Sequence, residues 1–204
     1  MKKGIYTLFF GLCLLTADAS AQPEIDSILA FRKDYVQAFL EDEHSPLNKR
    51  GIKGLRFYPP DTNYIVIGNF TRTEDAASFS MPTSSGKLKE YVQYGWVQFS
   101  LNGTLCSLSV YQSIALREME EYKNYLFIPF NDDTNGADTY GGGRYLDISM
   151  DDIQQGQLRI DFNRCYNPYC AFSDGYSCPV PPAENRLPVA IRAGEMNYAG
   201  KRQH

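Results

Sequence analysis

Apolar residues recur at three- and four-residue steps in one long stretch of the chain. Ile25, Ile28, Leu29, Tyr35, Val36, Phe39 and Leu40 fall on one face of a helix over 24–43, and Arg32, Lys33, Asp34, Glu41, Asp42 and Glu43 are left for water. Ser45-Pro46 ends it, because the residue before a proline is pushed out of the helical region. Beyond that point the pattern changes to strands and turns. Val97, Phe99 and Leu101 alternate with Gln98 and Ser100, Leu108 and Val110 alternate with Ser107 and Ser109, and Asn102-Gly103 between them predicts a type I′ hairpin. Further strands are expected over 64–70, 125–129, 143–148, 157–163 and 187–192. The polar stretch 71–89 reads as a hairpin with a long loop, and 113–124 as a short helix or a solvated loop. The pattern predicts a mainly β (α+β) fold: an antiparallel roll, barrel or sandwich of about seven or more short strands, with one N-terminal amphipathic helix.

The first residues follow a different rule. Lys2 and Lys3 precede an apolar run from Gly4 to Leu15, and Ala19-Ser20-Ala21 supplies the small–x–small pattern of a cleaved leader. The run is shorter than the roughly 20 apolar residues a permanent span needs. Leu12 before Cys13 argues against a lipid-modified cysteine. The expectation is a signal peptide over 1–21 and a mature domain over 22–204, periplasmic or secreted, without stable membrane insertion. With 20 Lys plus Arg against 24 Asp plus Glu, a strongly basic nucleic-acid binder is disfavoured. Cys106, Cys165, Cys170 and Cys178 remain after the leader. Four cysteines allow three pairings, of which Cys170–Cys178 with Cys106–Cys165 is the favoured one. Their spacing, with no histidine nearby, does not suggest a metal site.

Two segments concentrate the chemistry. The first runs from Phe127 to Asp147 and ends in TYGGGRYLD. The second runs from Asp161 to Arg186 and holds DFNRCYNPYC and CPVPPAENR. With the early SPL (Ser45, Pro46, Leu47), GLRFYPPD (Gly54 to Asp61) and the late IRAGE, these runs resemble a family of bacterial secreted and cytosolic proteins called domain of unknown function 1684, over roughly residues 25–196. The resemblance implies a shared fold unit and supplies no activity, substrate or catalytic residue. Cys165 stands where the resemblance leads one to expect a small residue, which suggests a bridge to Cys106 special to this chain.

Read one by one, the residues offer binding more readily than catalysis. Tyr140, Arg144, Asn163, Tyr166, Asn167 and Asn185 are candidate ligand contacts on stiff, proline-rich loops, for a small molecule, glycan or peptide. Arg144 can grip a ligand carboxylate or an internal one, with Asp147, Asp161 or Glu184 as candidate partners. The alternative to a binding domain is a carboxylate-dependent hydrolase acting on sugars or envelope polymers through Asp133, Asp147 or Glu184, or a structural envelope protein. His44 is the only non-terminal histidine and no GxSxG occurs, so Ser–His–Asp chemistry is disfavoured. The loop Asn131–Gly136 begins like a calcium loop, but its twelfth position is Gly142, and a turn is the simpler reading. Gly141-Gly142-Gly143 feeds a strand instead of a helix, which suggests a bend and no nucleotide cofactor.

Overall fold

The computed structural model describes residues 18–203. Most of the predicted leader, residues 1–17, lies outside the described residues. Helix α1 spans Asp18–Glu41 and is followed by strands β1 (Ile65–Arg72), β2 (Ser78–Pro82), β3 (Leu88–Leu101) and β4 (Thr104–Ser113). A single helical turn, α2 (Ile114–Arg117), leads to β5 (Tyr125–Phe130), β6 (Arg144–Ser149), β7 (Ile153–Gln154) and β8 (Gln157–Asp161). All the pairings are antiparallel, in the order β6-β5-β4-β3-β1-β8-β7, with β2 on the free side of β3.

The sheet curls without closing. Edge strand β6 meets the chain beyond β8 where Tyr145 and Tyr166 exchange backbone hydrogen bonds of 2.9 and 3.0 Å. Inside the curl lie Val97, Phe99, Leu108, Val110, Leu126, Ile128, Phe130, Leu146, Leu158, Ile160 and Phe162, all buried. The Asn-Gly turn forms as expected, with φ of 51° at Asn102 and 78° at Gly103. The segment 71–89 supplies β2 and its hairpin to β3. Residues 187–192 form no strand. Leu187 and Ile191 there, and Ala193 just beyond, are fully buried along an extended strap, which is bonded by the backbone of Asn131 and Asp133 and by side chains at Ile191.

Helix α1 docks on a narrower stripe than its apolar pattern suggests. Ile28 and Phe39 are buried with Tyr35 half-buried between them, whereas Leu29 and Leu40 are exposed. Arg32, expected in water, is buried on the same stripe. Its Nη1 donates to the Tyr58 carbonyl at 2.8 Å and its guanidinium lies over the Phe57 ring. Among the described residues no helix is long and apolar enough to cross a membrane.

Candidate functional site

Arg144 is not available to a ligand. It is the largest fully buried side chain, and its Nη2 meets Asp132 Oδ2 at 2.8 Å. The guanidinium also donates to the carbonyls of Ile191 (2.8 Å), Ala193 (2.6 Å) and Glu195 (3.2 Å). Its partner is Asp132, not Asp147, Asp161 or Glu184, and its task is to fasten the strap 191–195 to β6. Asp132 Oδ1 meanwhile accepts from Thr134 N and Oγ1 and from Ile191 N. The Asn131–Gly136 loop therefore turns its central carboxylate inward, and Asn135 ties it off through Asp132 N and the Tyr140 carbonyl.

The three asparagines are likewise fully buried clamps. Asn185 accepts from Ser109 N at 2.7 Å and donates to the carbonyls of Ser109 and Pro129. Asn163 exchanges hydrogen bonds with the backbone of Asp61, and Asn167 holds the Met196 carbonyl. Each satisfies backbone groups that no strand ladder reaches, so each is needed inside and none faces a ligand. Tyr140 packs at the edge of a cluster with Ala171 and Phe172. Gly143, at φ 91°, is a close-packed bend, where a Cβ would sit 2.6 Å from Pro181 and 2.7 Å from the Phe130 carbonyl.

Tyr166 and Asp147 do meet, and they meet at a cavity. A cleft of about 670 Å³ lies between α1, β6 and the loop 166–179. Seven aromatic rings line it: Phe31, Tyr35 and Phe39 from the helix, Tyr145 from β6, and Tyr166, Tyr169 and Tyr176 from the loop. Asp147 follows Tyr145 by two residues on β6, so strand alternation puts both on the face under the helix. Its Oδ1 accepts from Tyr125 Oη at 2.7 Å and Tyr166 Oη at 2.8 Å. No hydrogen bond among the described residues reaches Oδ2. Asp147 is open to solvent along the cleft while protein encloses the carboxylate from other sides. The resulting desolvation raises its pKa, and the two phenol donors oppose the rise.

Asp133 and Glu184 do not join it. Asp133 pairs with Arg186 at 3.1 Å on the surface, and Glu184 accepts from Tyr111 Oη at 2.8 Å. Neither lines the cleft. The second carboxylate near the site is Glu195, fully buried beneath the helix. Tyr35 Oη (2.9 Å) and Asn167 N (2.8 Å) both donate to its Oε2. Desolvation pushes its pKa up to about 8, with those donors and Arg144 pulling the other way.

The far wall of the cleft is held by the Cys170–Cys178 disulfide, which closes the loop that carries Tyr176. Backbone bonds from Ser84 N to the Cys178 carbonyl and from Val180 N to the Pro82 carbonyl dock that wall on the β2–β3 hairpin. The expected second bridge is not formed. Cys106 and Cys165 are both free and buried in the core, Cys106 on β4 and Cys165 against the Ala193 carbonyl. Loss of the Cys170–Cys178 bridge, in a Cys170→Ser/Cys178→Ser variant, should cost about 2.5 kcal/mol from loop-closure entropy and lower Tm by roughly 5–10 °C in a thermal melt.

No local pattern marks Tyr35, Phe39, Tyr169 and Tyr176 as one wall, since the helix and the loop are far apart along the chain. Nor does any local pattern mark Asp132 as the partner of Arg144. A second, smaller cavity of about 350 Å³ lies where β6 and β8 splay apart, between Leu146–Ile148 and Arg159–Asp161. Its lining is mixed and includes Ile67, Gln154 and Arg164.

Comparison with known proteins adds a fold and a family. An uncharacterized protein from gene locus rrnAC0354 of Haloarcula marismortui, known from a solution NMR structure, is 32% identical, with a TM-score of 0.67 over 88% of this chain and 97% of that one. No curated protein matches. The family model described as Protein of unknown function (DUF1684) matches residues 50–196, a span that includes the TYGGGRYLD run, the buried asparagines and the strap fastened by Arg144. The chain belongs to that family.

Proposed function

We propose that this is an exported, non-catalytic binding domain whose ligand enters the cleft under α1. The observation that carries the reading is Asp147: a carboxylate at an aromatic-walled cavity, fixed through one oxygen by two tyrosines, with the other oxygen left unpartnered. A volume of about 670 Å³ falls in the range of small-molecule sites. The hydrolase reading has less support. It needs two carboxylates with pKa values pushed apart in one cleft, whereas Asp147 and Glu195 are both raised and Glu195 has no exposed surface. Export is supported by the basic and apolar start of the sequence and by the disulfide.

A thermal-shift panel of amines, glycans, muropeptides and short peptides on the oxidised protein tests the reading. Ala38 is exposed and lines the cleft, so Ala38→Trp should block it without disturbing the core. A ligand at a hundred times its Kd should stabilise the wild type by about 2.7 kcal/mol and leave Ala38→Trp unshifted. A flat panel, or equal shifts in both proteins, would contradict the proposal.

A further inference from the structure

Resting on that reading, we propose that the cleft takes an organic cation, a methylated or quaternary ammonium group that sits among the tyrosine rings with Asp147 Oδ2 as its counter-ion. The phenol donors of the cleft are not free for a ligand. All five of its tyrosine hydroxyls are already spent on protein acceptors: Tyr35 on Glu195, Tyr145 on the Pro179 carbonyl, Tyr166 on Asp147, Tyr169 on Asp42 and Tyr176 on the His44 carbonyl. A sugar, peptide or phosphate needs several donors and acceptors set around it. This lining presents ring surfaces and Asp147 Oδ2, with Asp34, Lys89 and Ser177 as its other polar side chains.

The rings are also arranged as corners, not as a flat platform. Tyr145 and Tyr166 stand at 88° with centroids 5.8 Å apart, and Tyr169 and Tyr176 at 81° with centroids 5.2 Å apart. Near-perpendicular aromatic walls surround a compact, roughly spherical cation better than the flat face of a sugar, and the negative faces of the rings attract it.

The charges around the cleft favour a cation as well. Asp34 and Lys89 line the cleft at exposed positions and carry opposite signs. Asp147 has no cationic partner among the described ion pairs. A ligand cation would supply that partner, while an anionic ligand would face an uncompensated carboxylate.

Choline and its neutral isostere 3,3-dimethylbutan-1-ol make the test, since they differ in charge and hardly in shape. Both are titrated by NMR into the oxidised protein and into Asp147→Asn, whose carboxamide can still accept from Tyr125 and Tyr166. The expected result is that choline binds at least tenfold more tightly than the isostere to the wild type. Asp147→Asn should lose that difference while its melting temperature stays within a few degrees. Equal binding of the two probes to the wild type would overturn the cation and leave the cleft standing as a site. So would a cleft that takes neutral panel compounds but neither probe. A cleft that binds neither the probes nor any panel compound would overturn both.

Discussion

Replacing Arg144 with Met is expected to lower the melting temperature by at least about 12 °C, the largest expected effect of a single substitution. The guanidinium is wholly buried, and removing it strands the Asp132 carboxylate together with the carbonyls of Ile191, Ala193 and Glu195. Breaking a buried pair from one side typically costs about 3–5 kcal/mol, and each buried carbonyl left without a donor adds about 1–3 kcal/mol. Against a total stability of roughly 5–15 kcal/mol, this is enough to threaten the fold. Arg144→Lys should fall between wild type and Arg144→Met, because an ammonium keeps the charge but not the fork that reaches three carbonyls and a carboxylate. A melt of Arg144→Met within a few degrees of wild type would contradict the clamp.

Glu195→Gln should make the protein more stable at alkaline pH and flatten its stability between pH 5 and 9. Folded Glu195 holds its proton to about pH 8, against an ordinary value of 4.5. The native state therefore binds the extra proton through that window. Its stabilising effect is complete below about pH 4.5, declines as pH rises toward 8, and is gone above it. The difference is on the order of 3–5 kcal/mol. Geometry agrees with a protonated side chain. Glu195 Oε1 is buried with no hydrogen-bond partner among the described residues, which favours the neutral carboxyl over the charged one. The amide of Gln is neutral at every pH. Urea denaturation of both proteins across that range measures the effect. Parallel stability curves for wild type and variant would contradict it.

The architecture was legible where local rules are strong. The Asn102-Gly103 turn needs two positive φ values, and the alternation around it admits one register. The stretch 187–192 has the buried apolar residues of a strand, but its backbone bonds scatter: Leu187 and Val189 bond the loop backbone at Asn131 and Asp133, and Ile191 bonds the side chains of Arg144 and Asp132. The same residues explain why the candidate site came out only in part. A polar side chain that clamps backbone in a core and one that waits for a ligand look alike in sequence. The motif runs around Arg144, Asn163, Asn167 and Asn185 proved to be clamps. Tyr166 and Asp147 belong to the cleft because strand alternation and the Tyr145–Tyr166 bridge set them under α1. Tyr35 and Phe39 carry an i, i+4 aromatic spacing that signals a docking face, and nothing local says that the face stops short of closing.

The central claim is that ligands enter the aromatic cleft at Asp147. Chemical-shift mapping tests it most directly, following the backbone amides of the oxidised protein as a stabilising panel compound is added. The account predicts perturbations centred on Tyr35, Tyr145, Asp147, Tyr166, Tyr169 and Tyr176. Perturbations centred on Ile67, Gln154, Arg159 and Arg164, in the notch between β6 and β8, would place the site elsewhere and contradict it.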